Sequence, residues 1–170
     1  MPVAEGMRPE VVLFPHQERM IRHALDMNGS IVMSHGVGTG KTTASIALFD
    51  RLRRQDKASK ALVVVPAGLK KNYADGVAKV STYTTQVIGP KGDKEGVQFG
   101  AVDPAVTYTI VSYDMFRRDP VGLMKSTGAD TLIFDEYHRA QPLSAKVLSV
   151  TGWKPMGEIR LGDVLVNPAG

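Results

Sequence analysis

A chain of 170 residues with 43% hydrophobic and 22% charged side chains has the make-up of a globular protein of one domain plus a small appendage. A formal net charge of +4 permits nucleic-acid binding without requiring it, since a solvated basic surface explains the same excess. The absence of cysteine excludes disulfides and thiolate metal sites. No apolar run nears the ~20 residues of a membrane helix, and Met1-Pro2-Val3-Ala4-Glu5-Gly6 is no basic-then-apolar signal, so the expected setting is cytoplasmic, of phage or prokaryotic type, with no membrane.

Residues 1–10 read as irregular. From Pro15 the spacing of Met20, Ile21, Ala24 and Leu25 predicts a helix closed by Asn28-Gly29. Ser30-Ile31-Val32-Met33 reads as a short strand, Ser34 to Gly40 as a tight turn, and Ala44-Ser45-Ile46-Ala47-Leu48-Phe49 as a helix ending in Arg51, Arg53 and Arg54, cations that suit a negative helix end. Ala61-Leu62-Val63-Val64-Val65 is apolar without alternation, the pattern of a strand buried on both faces in a parallel sheet. Leu69–Val80 predicts a helix with Gly76 as its weak point, and Lys70 and Lys71 read as solvated charges, with phosphate contacts as the alternative. Tyr83–Ile88 and Val106–Val111 predict strands around a polar loop over 89–104, and Thr131-Leu132-Ile133-Phe134 predicts a buried strand delivering Asp135-Glu136. Strands alternating with helices make an open α/β sheet whose ligand sits at the carboxyl strand ends.

The chemistry concentrates in two places. In Gly36-Val37-Gly38-Thr39-Gly40-Lys41-Thr42-Thr43 the glycines permit positive φ, so backbone N–H groups curl around an anion at a helix start. Lys41 is placed to reach β- and γ-phosphate oxygens, and the Thr42 hydroxyl to ligate Mg²⁺. His35 stands where the strict pattern wants glycine, and a glycine-rich turn without a ligand is the plainer alternative. The acids after the last strand supply the other half. Asp135 holds Mg²⁺ through water, and Glu136 orients and deprotonates the attacking water; a solvated turn is the alternative.

Asp135-Glu136-Tyr137-His138 resembles the DExH box of superfamily 2 helicases and translocases, and further stretches follow that family's order. Phe14-Pro15-His16-Gln17 resembles the upstream glutamine motif, which makes Gln17 the candidate for the adenine edge; an exposed helix residue is the alternative. Val64-Val65-Pro66-Ala67-Gly68-Leu69 with Asn72-Tyr73 resembles motif Ia of the Swi/Snf type, and Ile110-Val111-Ser112-Tyr113 a later strand of the same lobe. The resemblance covers residues 12–139 and implies a RecA-like P-loop domain, a mainly parallel sheet flanked by helices. It also implies ATP and Mg²⁺ as cofactors, with Gly36, Gly38, Thr39, Gly40, Lys41, Thr42 and Thr43 around the phosphates. Its partners are nucleic acid, DNA rather than RNA, and a second RecA-like lobe carrying the transition-state arginine. His138 then couples the two ligands or is a satisfied strand-end histidine, and His35 and Arg139 read equally as surface residues.

After Arg139 the pattern breaks off. Val147-Leu148-Ser149 through Trp153-Lys154-Pro155-Met156-Gly157-Glu158-Ile159 to Gly162-Asp163-Val164 resembles the opening of an intein, a self-splicing Hint domain. This divides the chain into a helicase lobe, 1–139, and an intein fragment, 140–170, with the junction at Ala140 or Ser144. Alanine cannot perform the usual acyl shift. The chain is then expected to be a truncated product whose remaining intein blocks lie on a separately encoded chain. An ordinary hairpin of the lobe stays open, as do two other functions: a non-translocating P-loop ATPase or kinase, and a split-intein or nucleic-acid-binding fragment without turnover.

Overall fold

A computed structural model describes residues 5–27, 29, 40–89, 102–135, 146–149, 152–155 and 158. They form two compact units, 1–135 and 136–170. The expected strand over 30–33, the turn over 34–39, Glu136, His138, Arg139 and most of the polar loop over 89–104 lie outside the described residues.

Among the described residues the first unit has four parallel strands in the order β2-β3-β1-β4, where β1 is Ala61–Val65, β2 Thr85–Val87, β3 Tyr108–Ser112 and β4 Thr131–Phe134. Every residue of β1 and β3 is buried, which is why their sequences lack polar alternation. Successive side chains of β1 serve opposite faces: Val63 and Val65 enter one core, Leu62 and Val64 the other. On the first face lie α1 (Pro15–Asp26), α2 (Lys41–Arg54) and α3 (Lys70–Val80), with Ile21, Ala24, Ile46, Phe49, Tyr73 and Val77 filling the space. On the second lie α4 (Tyr113–Arg118) and α5 (Pro120–Thr127), contributing Met115, Phe116, Leu123 and Met124.

Several expectations are corrected. The strand expected over Tyr83–Ile88 shortens to Thr85–Val87, because Tyr83 turns inward against Phe49 and Tyr108. The strand expected over Val106–Val111 begins two residues later and ends at Ser112. β4 is not buried on both faces: Leu132 and Phe134 are 42% and 41% exposed, and β1 is its one partner among the described strands. Lys70 is not solvated but 1% exposed, whereas Lys71 is exposed and paired with Asp75 at 3.0 Å. The arginines closing α2 do more than face a helix dipole. Arg51 meets Glu18 of α1 at 2.7 Å, and Arg53 meets Glu5 at 3.0 Å.

Glu5 and its neighbours tie the N-terminal segment to the sheet. Met7 bridges Ser81, Gly6 exchanges bonds with Thr82, and Glu5 accepts from Thr84, Thr107 and Arg53. Burial alone raises the Glu5 carboxyl, but the bonds from Thr107, Thr84 and Arg53 outweigh it and hold its pKa at about 2. A carboxylate whose folded pKa lies below its unfolded value contributes stability above the unfolded value and loses it as pH falls through the folded one. The urea midpoint is therefore expected to drop between pH 4.5 and about 2, and Glu5→Gln to flatten that part of the profile. An unchanged profile in the variant assigns the acid sensitivity to other groups.

Among the described residues Tyr108 Oη is the buried side-chain oxygen with no hydrogen-bond partner. A buried hydroxyl without a partner costs free energy. Tyr108→Phe is expected to unfold at an equal or higher temperature in calorimetry.

The second unit contains an antiparallel hairpin of β5 (Lys146–Ser149) and β6 (Gly152–Pro155).

Candidate nucleotide site

All four strands of the sheet point the same way, so their carboxyl ends share one edge. A short connection joins the end of α2 to the start of β1, which returns the N-terminus of α2 to that same edge. Gly40 caps α2 in the left-handed region at φ 74°, and Lys41, Thr42 and Thr43 form the first turn, each half-buried. A helix N-terminus leaves N–H groups without intrahelical acceptors and carries a partial positive charge, so this turn favours an anion.

Gln17 braces that turn from α1. Its Oε1 accepts the Phe14 N–H at 2.8 Å, and its Nε2 donates to the Gly40 carbonyl at 3.0 Å. It is 2% exposed, which removes the alternative of a solvated helix residue. Phe14 and Val12, just ahead of it, are 63% and 86% exposed, and the Phe14 ring stacks on His16. A Cβ added to Gly40 would lie 2.4 Å from Gln17 Nε2. Gly40→Ala therefore combines a left-handed alanine, costing ~1–2 kcal/mol, with loss of the Gln17 bond. A melting temperature several degrees lower and weaker nucleotide binding are expected together. A variant that keeps both would show that this turn tolerates a side chain.

Asp135 stands at the end of β4. Its N–H donates to the Val64 carbonyl at 2.9 Å, continuing the β4–β1 ladder by one residue, and its own carbonyl accepts from Tyr113 Oη at 2.8 Å. The Asp135 charge reaches Tyr73 on α3. The Tyr73 hydroxyl is raised well above its ordinary pKa, first by burial and also by that charge. Ser45, on the second turn of α2, lies 3.0 Å from the same hydroxyl. Tyr73 thus bonds to the second turn of α2 and also feels the Asp135 charge. Thr42 offers a hydroxyl and Asp135 a carboxylate, both hard oxygen donors of the kind Mg²⁺ takes.

Of the residues read from the sequence, Gln17, Gly40, Lys41, Thr42, Thr43 and Asp135 gather at the carboxyl edge. Gly36, Gly38, Thr39 and Glu136 lie outside the described residues. Tyr73 and Tyr113 appear in the sequence as parts of motif-like stretches; that one bonds into α2 and the other holds the Asp135 backbone depends on contacts between distant elements. Among the described residues no helix is long and apolar enough to cross a membrane.

The fold is that of a RecA-like lobe of helicase type. Residues 10–154 match the family Type III restriction enzyme, res subunit, and the chain belongs to that family. Among solved structures it is similar to the Sulfolobus solfataricus SWI2/SNF2 ATPase core in complex with dsDNA, with a TM-score of 0.60 at 20% identity over 76% of this chain. The alignment takes in 27% of that protein, so this chain spans about a quarter of its length. No curated protein matches the sequence.

Proposed function

We propose that the chain is the ATP-binding lobe of a nucleic-acid-dependent ATPase, a helicase or translocase that acts on DNA. The observation that carries this reading is that Asp135, at the end of β4, and the Gly40-Lys41-Thr42 turn opening α2 lie at the same carboxyl edge of the parallel sheet. Lys41 and the Gly40 turn would hold phosphates, Thr42 and Asp135 the Mg²⁺, and Glu136 the attacking water, with Gly36, Gly38, Thr39 and Thr43 completing the phosphate cradle. Gln17 is the candidate for the adenine edge while also bracing Gly40. The bound metal would neutralise charge on the β- and γ-phosphates. The family of the chain supports the ATPase reading, and the dsDNA bound by the SWI2/SNF2 core supports DNA as partner.

ATP hydrolysis by this chain alone is expected to be slow. In related phosphotransfer sites a transition-state arginine is worth ~10³–10⁵ in rate, and the family pattern puts it on a second lobe. The test is ATP binding by the purified chain, followed by turnover of the whole gene product with and without duplex DNA. Binding and DNA-stimulated turnover are expected. Turnover indifferent to nucleic acid would favour a non-translocating ATPase or kinase.

Residues 140–170 belong to this proposal as the start of an intein. The order of its sequence elements supports that reading, and the short-stranded hairpin β5–β6 suits an all-β fold. The family match, however, continues to residue 154, as a hairpin native to the lobe requires. Removing residues 140–170 separates the two. An insertion leaves the urea midpoint of the lobe unchanged, whereas a native hairpin takes stability with it.

A further inference from the structure

α3 comes close to the beginning of α2 at two points that binding of phosphate does not explain. Tyr73, 3% exposed, places its hydroxyl 3.0 Å from Ser45 Oγ. Ser45 Oγ itself donates to the Thr42 carbonyl at 2.8 Å, so its one proton is committed and Tyr73 is the donor to Ser45. One turn further along α3, a Cβ on Gly76 would lie 3.1 Å from Thr42 Cγ2, tighter than ordinary van der Waals contact.

These contacts act on one side chain. Threonine is β-branched and stiff about χ1, so where its methyl is confined the direction of its hydroxyl follows. A side chain at Gly76 would crowd the methyl, and the Tyr73–Ser45–Thr42 chain fixes the backbone that carries it. Resting on the reading of Thr42 as a ligand of Mg²⁺, we propose that Tyr73 and Gly76 are positioning residues that aim the Thr42 hydroxyl at the metal. Neither touches nucleotide. Their effect is specific to the metal-bound complex, because Lys41 and the turn hold phosphate whether or not Thr42 points correctly.

The test uses the full chain and a fluorescent N-methylanthraniloyl ATP, titrated in Mg²⁺ and again in EDTA. Tyr73→Phe keeps the ring and removes the donor. It is expected to weaken binding in Mg²⁺ about three- to tenfold, the worth of one hydrogen bond, and to leave binding in EDTA unchanged. Ser45→Ala is expected to match it, and the double variant to be no worse than either single. Gly76→Ala sets a gain in helix propensity against crowding of the Thr42 methyl, so it should melt near wild type while showing the same loss confined to Mg²⁺. It remains decisive if the tyrosine variant fails to fold. Equal losses in Mg²⁺ and EDTA, or none in either variant while the wild type binds, would make Tyr73 and Gly76 packing residues only. A wild-type chain that binds no ATP under either condition overturns the nucleotide reading and this inference with it.

Discussion

Lys41→Ala is expected to weaken ATP binding about a hundredfold while leaving the melting temperature within a degree or two of wild type. A hydrogen bond to a charged group is worth ~1.5–3 kcal/mol, and an ammonium on the β- and γ-phosphates makes more than one such contact with a highly charged ligand. Lys41 begins α2 at the carboxyl edge of the sheet and is half-buried; the hydrophobic cluster under α2 is filled by Ile46, Ala47, Leu48, Phe49 and Leu52 instead. Its loss therefore removes a ligand contact without opening a cavity. Binding in EDTA should fall along with binding in Mg²⁺, which separates this residue from Thr42 and its supports. Wild-type affinity in Lys41→Ala would leave the turn as a helix cap and nothing more.

How much of this site can be read from the sequence depends on whether the signal is local. The start of α2 was legible because glycine at positive φ followed by Lys-Thr is a local requirement of a turn entering a helix. β1 and β3 were legible because a strand covered on both faces leaves no polar alternation. The helices α4 and α5 went unread: at six and eight residues they are too short for a hydrophobic period to declare itself. Their ends nevertheless carried a signal. Ser112 accepts from the Met115 N–H, Asp119 accepts from the Gly122 N–H, Pro120 opens α5 and Gly128 closes it in the left-handed region.

What stayed hidden depends on contacts between segments far apart in the chain. Gln17 is buried because Gly40, 23 residues later, supplies a carbonyl to its amide. Tyr73 is drawn off the surface of α3 by Ser45, 28 residues earlier. Gly76 reads as a helix weak point, yet the approach of Thr42 leaves little room for a side chain there. In each case the residue type was visible and its reason was not, since only the packed helices supply it.

Asp50→Ala carries the largest expected loss of stability, about 3 kcal/mol. Asp50 is 5% exposed on α2, and its Oδ1 accepts from the Tyr83 hydroxyl at 2.7 Å and the Met7 N–H at 2.9 Å. Arg54 Nε donates to Oδ2 at 2.6 Å. Truncation strands two inward donors, each costing ~1–3 kcal/mol. It costs less at Arg54, which is 69% exposed and regains water. For a chain of this length the loss corresponds to a melting temperature lower by roughly 6–12 °C. Asp50→Asn keeps an oxygen for Tyr83 and Met7 and gives up only the Arg54 contact, so it should lose about 1 kcal/mol. Burial raises the Asp50 carboxyl, but the bonds from Arg54, Tyr83 and Met7 win and hold it below the usual aspartate range. The charge-dependent part of its contribution is present above the unfolded value, 3.8, and is lost as pH falls through the lower folded value, so in acid the wild type should approach the asparagine variant, which keeps the same neutral acceptor, while alanine stays below both. If the asparagine variant proves as unstable as alanine at neutral pH, the ion pair with Arg54 matters more than the two buried donors, and this account of how α2 is anchored to Met7 and Tyr83 fails.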